Sequence, residues 1–151
     1  VLHDLYTALG KTTEAKQQAG LLDAAAALDE ASGEKANRTL ALIYANEGLN
    51  LKKALAMAQA DVELRGGVYT QDALAWTLYK NGRSADAWRV AQGVAAVGTP
   101  DGLLIYHYGM IALAQGHKEE AKASLESALR LNPAFDFSQA PLARQALRDL
   151  Q

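Results

Sequence analysis

Cysteine is absent from the 151 residues. That excludes disulfides, zinc–thiolate sites, iron–sulfur clusters and cysteine nucleophiles, and it leaves the redox compartment open. β-Branched residues are scarce: Val, Ile and Thr together number 16, against 31 Ala and 23 Leu, which favours helix over strand. No excess of one charge is present. Lys and Arg total 15 against 17 Asp and Glu, a net charge of -2, so there is no electrostatic footprint for nucleic acid or an anionic membrane. Long apolar runs are also missing. The runs present are short, such as Leu21 to Leu28, broken by Asp23, and Leu103 to Tyr108. Both fall far short of the roughly 20 apolar residues of a spanning helix. Val1-Leu2-His3-Asp4 has neither a basic start nor an apolar run, so it does not read as a signal peptide, and Val at residue 1 reads as a cut or processed chain. What is present is a chain that is 50% apolar and 21% charged, the balance of a folded domain or a short array of repeats.

Repetition organises the chain. Gly48, Gly82 and Gly116 stand 34 residues apart, as do Leu40, Leu74 and Tyr108, and Ala41, Ala75 and Gly109. Ala54, Ala87 and Ala121 follow at 33 and 34. Each unit reads as two helices. In the segment from Asp72 to Asn81, Leu74, Ala75 and Leu78 share one helical face; Gly82 ends it, with freedom to take positive φ. Ser84 is the expected cap of the next helix, which carries Ala87, Val90, Ala91 and Val94 on one side. Gly98-Thr99-Pro100 breaks it and opens the following helix. The last unit repeats this grammar, with a helix from Lys118 to Leu131 and Asn132-Pro133 as the stop. One extra residue before Ala54 predicts a bulged turn after Gly48. The small residues have a mechanical reason, since antiparallel helices approach to about 8–10 Å only where contact residues are small.

The expected organisation is one domain over 1–151: a partial, irregular repeat at 1–33, repeats at 34–67, 68–101 and 102–135, and a capping helix at 136–151. Tyr6, Gly10 and Ala15 mimic Tyr44, Gly48 and Ala54, so the first unit reads as truncated, with further repeats expected upstream in a parent protein. A helix from Thr12 to Ala31 is expected. At the other end, Ser138 is the expected cap of a helix to Leu150 whose apolar stripe is Leu142, Ala146, Leu147 and Leu150.

This pattern resembles the tetratricopeptide repeat (TPR) family. The residues that carry it are Leu74-Ala75, Tyr79-Lys80, Gly82 and Ala87 in one unit. In the next they are Tyr108-Gly109, Gly116, Lys118-Glu119-Glu120-Ala121, Leu125, Ala128-Leu129 and Pro133. The family's frequent tryptophan early in the first helix is Gln71 or Ile105 here, and its aromatic before the alanine is Ser84 or Lys118. The segment from Val68 to Gly82 and the ending Leu131 to Phe135 with Ala140-Pro141 are similar to bacterial TPR proteins of unassigned biochemistry, many of them secreted or envelope-associated. The resemblance implies a right-handed α-solenoid of antiparallel helix pairs, about nine helices in all. It also implies a concave wall made by the first helix of each pair, where extended peptides bind.

Helical phase assigns that wall to Arg38, Leu42 and Asn46, then Tyr69, Asp72, Trp76, Tyr79 and Lys80, then Tyr106, His107 and Met110. The set is aromatic-rich with a few hydrogen-bonding groups, the profile of a binding surface. Trp76, Tyr79 and Tyr106 are the expected anchors, with Arg38, Asp72 and Lys80 fixing register. On that reading Trp76→Ala weakens partner capture and leaves helicity intact. The competing reading is that Trp76 and Tyr106 fill the seam between repeats. The clamp of Lys, Asn and Arg by which some family members grip terminal carboxylates is not reproduced, because only Arg38 and Lys80 are cationic and Asp72 offsets them.

Catalytic chemistry has no foothold. There is no G-x-S-x-G, no P-loop and no dinucleotide glycine run. His3, His107 and His117 have no metal-ligand spacing, so neither a metal nor another cofactor is expected. Glu119-Glu120 open a helix, where carboxylates suit the dipole, and Trp88 reads as inter-repeat packing or outer surface. Asn37-Arg38-Thr39 matches a glycosylation sequon by pattern alone. The expected function is a non-catalytic protein-interaction module for a peptide or partner helix, with no nucleic acid and no membrane insertion. The alternative is a self-assembling homo-oligomeric scaffold.

Overall fold

The computed structural model describes residues 2, 5, 6, 9–33 and 35–150. His3, weighed above as a metal ligand, and Glu34, the first residue of the second unit, lie outside them. Eight helices follow from residue 12 onward: α1 (Thr12–Ala31), α2 (Arg38–Glu47), α3 (Leu51–Leu64), α4 (Val68–Lys80), α5 (Ser84–Ala96), α6 (Gly102–Ala114), α7 (Lys118–Leu131) and α8 (Gln139–Asp149). No strand occurs among the described residues. The fold is all-α, as an Ala- and Leu-rich chain poor in β-branched residues dictates.

The three glycines 34 residues apart do the same job. Gly48, Gly82 and Gly116 sit at φ 68°, 76° and 84°, in the left-handed region that an L side chain resists. In each turn the next residue's N–H reaches back five residues: Leu49 to the Tyr44 carbonyl at 2.9 Å, Arg83 to Leu78 at 2.9 Å, His117 to Ala112 at 3.0 Å. These bonds satisfy carbonyls that the helix end would leave orphaned. The extra residue after Gly48 is accommodated by Asn50, which takes φ 41°.

Helix starts differ from expectation at Ser84 and Ser138, and α6 begins at Gly102 rather than at Pro100. Ser84 does not cap α5; it is the first helical residue, and the start is tied instead by the Arg83 guanidinium, whose Nε donates to Asp86 at 2.8 Å. Nor does Ser138 cap α8. Asp136 does, its Oδ1 accepting from the Ser138 and Gln139 amides at 2.8 and 2.9 Å and from the Ser138 hydroxyl at 2.8 Å. A carboxylate reaches two amides where a short hydroxyl reaches one. Asp101 caps α6 in the same way, its Oδ1 2.8 Å from the Leu103 amide. Asn37 of the sequon is the cap of α2, accepting from the Leu40 amide at 2.9 Å.

From α2 onward each helix packs on its chain neighbour, and α2, α4 and α6 also touch one another in a row. Ala41, Ala54, Ala75, Ala87 and Ala121 are buried at these contacts. A Cβ added to Gly109 would lie 3.0 Å from Leu125 Cγ and 3.2 Å from Ser124 Cβ, so α6 and α7 close so tightly there that a larger residue would have to push the Leu125 side chain aside. One continuous core, drawn from α2, α4, α6, α7 and α8, joins Ala45, Trp76, Tyr106, Leu125, Ala128, Ala143 and Ala146. Of the stripe expected on α8, Ala146 is buried and Leu147 and Leu150 pack partly buried against this core, while Leu142 is exposed. Gln139, Ala140 and Ala143 are buried beside it, and their small neighbours let α8 lie close to the Trp76–Tyr106 core.

Candidate binding site

The row of α2, α4 and α6 presents Asn46, Trp76, Tyr79, Lys80, Tyr106 and Met110 to one cavity of about 270 Å³. The fourth wall comes from the start of α8, as Ser138, Gln139 and Leu142. Trp76 is its centre. The indole Nε1–H donates to Asn46 Oδ1 at 2.7 Å, tying α4 to α2. Its ring stacks on His107 at 4.1 Å between centroids and 15° between planes. Tyr79 and Tyr106 lie tilted against it at 5.1 and 5.7 Å, and Phe135 packs on Tyr106 at 5.2 Å. Lys80 places its ammonium 5.6 Å from the Trp76 centroid, a cation–π distance.

Beneath the indole lies a buried polar pair. His107 Nδ1 is 2.8 Å from Asp72 Oδ2, and both side chains are buried. The hydrogen bond orients the imidazole flat under Trp76. His107 Nε2 and Gln139 Nε2 are the buried side-chain atoms without a hydrogen-bond partner among the described residues. Burial raises the pKa of both Tyr79 and Tyr106, and the latter is pushed further by the charges of Tyr79 and Asp136. Both phenols are therefore uncharged near pH 7.

Of the residues assigned by helical phase, Asn46, Trp76, Tyr79, Lys80, Tyr106 and Met110 meet at this cavity. Others do not. Leu42 packs into the core behind it. Arg38 and Tyr69 pair with each other elsewhere, the guanidinium 5.5 Å over the ring, beside a separate cavity that Arg38 lines with Asp61 and Thr70. Asp72 and His107, expected at the surface, are buried against one another. Asp72 thus fixes no register and offsets no surface charge; it holds an imidazole. Trp76 and Tyr106 are only 2% and 1% exposed, so they form the floor of the cavity and do not project from it. Their burial favours the reading in which both rings fill the seam between repeats, so Trp76→Ala removes core as well as cavity floor. Trp88 stacks on His117 at 4.7 Å, across from α5 to the turn before α7.

Ser138, Gln139 and Leu142 were not foreseen. The signal for Gln139 was present: with Ala143 and Ala146 it follows i, i+4, i+7 spacing, which puts it on the face of α8 that α6 and α7 cover. A larger cavity of about 770 Å³ lies between α5, α6 and α7, lined by Val94, Leu104, Ile105 and Leu131 among others. Its one aromatic, Tyr108, already donates its hydroxyl to Glu120. The smaller cavity combines an aromatic floor with an unspent donor. No cluster of three or more His, Cys, Asp or Glu side chains able to hold a metal ion occurs among the described residues. No helix there is long and apolar enough to cross a membrane. Comparison with family models, curated proteins and solved structures finds no match for this chain.

Proposed function

We propose that this chain is a non-catalytic protein-interaction module, a right-handed α-solenoid of the TPR kind that receives an extended peptide along the side formed by α2, α4 and α6. The observation that carries this reading is the cavity over Trp76, to which three alternate helices and α8 each contribute a side chain. A surface built from one helix could be a chance patch; a wall drawn from Asn46, Trp76, Tyr106 and Gln139 brings together residues up to 93 positions apart in the chain. Rigid aromatic flooring with hydrogen-bonding groups at the rim is the chemistry of peptide capture.

Selection of a displayed random peptide library on the folded chain tests the reading. Enriched peptides should perturb the Trp76 indole N–H resonance and lose more than tenfold in affinity to Tyr79→Ser, a half-buried position. If no peptide is enriched, or if the enriched ones bind Tyr79→Ser unchanged, the reading fails. Self-assembly is the second reading, favoured by Leu21 and Leu28, which are 63% and 70% exposed and stand seven residues apart on α1. A sedimentation profile that stays monomeric across a concentration series removes it.

A further inference from the structure

Gln139 is 3% exposed, lines the Trp76 cavity, and holds a donor nitrogen with no partner among the described residues. A buried donor left unpaired is costly and normally finds an acceptor. The cavity's volume of about 270 Å³ is below the roughly 300–1,000 Å³ of small-molecule sites, so it suits one side chain rather than a whole ligand. Its aromatic face already carries the Lys80 ammonium, which disfavours a cationic guest. A second cavity of about 430 Å³ adjoins it, sharing Met110 and Leu142 and lined also by Leu113, Ala146 and Leu150. Leu142 stands between the two, 53% exposed.

Resting on the interaction-module reading, we infer that Gln139 is the specificity-determining residue of a two-anchor peptide site. One uncharged apolar side chain enters the cavity over Trp76. A backbone carbonyl beside it accepts the hydrogen bond from Gln139 Nε2. A second apolar side chain of the same extended segment crosses Leu142 and settles against Leu113 and Leu150. Neutral apolar segments are selected, because the acceptor is a peptide carbonyl and the aromatic floor has its own cation.

The test is an NMR titration of the full chain with acetyl-Leu-Ser-Leu-amide, with acetyl-Gly-Ser-Gly-amide, and with the leucine peptide bearing a free carboxylate. The capped leucine peptide should shift the Trp76 indole and Gln139 side-chain amide resonances, and the glycine peptide should not. Gln139→Glu, which replaces the donor by an acceptor, should weaken binding about three- to tenfold, the scale of one net hydrogen bond. Leu142→Asp, at an exposed position that burial does not protect, should weaken it as well and serves if Gln139→Glu fails to fold. Equal binding by either folded variant, or shifts centred on Tyr108 instead, overturns the inference. Tighter binding of the free carboxylate than the capped peptide overturns the carbonyl as acceptor. If library-selected peptides bind at Trp76 while the leucine tripeptide does not, this site is wrong and the broader reading survives; if neither binds, both fall.

Discussion

α1 and the pair α4–α6 are held in place by different means. α1 buries Ala15 and Ala26 and is fastened to α2 and α3 by a polar bridge. Asp23 Oδ1 accepts from the Tyr44 hydroxyl at 2.9 Å and from Asn50 Nδ2 at 2.7 Å, while Lys53 pairs with Glu30 at 3.3 Å. Its leucines at 21 and 28 face solvent. Between α4 and α6, by contrast, Trp76, Tyr106 and His107 interlock, and the ion-pairing contact of Asp72 with His107 is itself buried. At 20 residues and rich in alanine, α1 has length and propensity in its favour, while its packing contributes less than that of the α4–α6 seam. The seam between α4 and α6 depends on shape. Recognition is proposed where shape rules, since a fixed aromatic floor loses no side-chain entropy on binding.

Substitutions in the two regions break or sharpen this contrast. Trp76→Ala should cost about 3–5 kcal/mol, the range for deleting a buried large aromatic, read by urea denaturation. A loss below about 1 kcal/mol would mean that the seam is not the core it is taken to be. Next comes Gly109→Val, expected to cost about 1–3 kcal/mol by forcing Leu125 away, and visible as a lower denaturation midpoint with unchanged slope. Tyr44→Phe, at the α1 bridge, should cost about 1 kcal/mol for its net hydrogen bond. It also carries a pH signature. Burial first, then the hydrogen bond to Asp23, raises the Tyr44 pKa to about 12. The unfolded phenol titrates near pH 10, so the folded state holds this proton more tightly. Its contribution is complete below about pH 10 and drains away as pH climbs toward 12, and Tyr44→Phe should flatten that alkaline decline in melting temperature. The smallest effect is expected for Leu28→Gln, within about 0.5 kcal/mol by thermal melting, because its side chain is already in water. A destabilisation of 2 kcal/mol or more there, on the scale of the Gly109 change, would show that α1 is covered in solution and would favour self-assembly.

Local features were legible because their causes lie within a few residues. Gly48, Gly82 and Gly116 announce turns, and the bounds Thr12–Ala31 and Lys118–Leu131 of α1 and α7 match the expected helices. The caps misread at Ser84 and Ser138 show the limit even there: Asp136, three residues before the first turn of α8, outcompetes a hydroxyl for the same amides. Helical phase grouped Asn46, Trp76 and Tyr106, which line one cavity in the structure. It could not say that α8 would fold back over part of that cavity, nor that Asp72 and His107 would turn inward.

Composition and spacing alone therefore determined an all-helical chain, its turns and the small residues at helix contacts, because hydrogen bonds from i to i+4 and positive-φ glycines are short-range matters. Only the tertiary structure decided that Asp72 meets His107 across 35 positions, that Trp76 becomes a floor, and that Gln139 reaches the cavity. Such outcomes depend on how closely neighbouring helices approach and which face each covers, and no window along a single helix contains that distance.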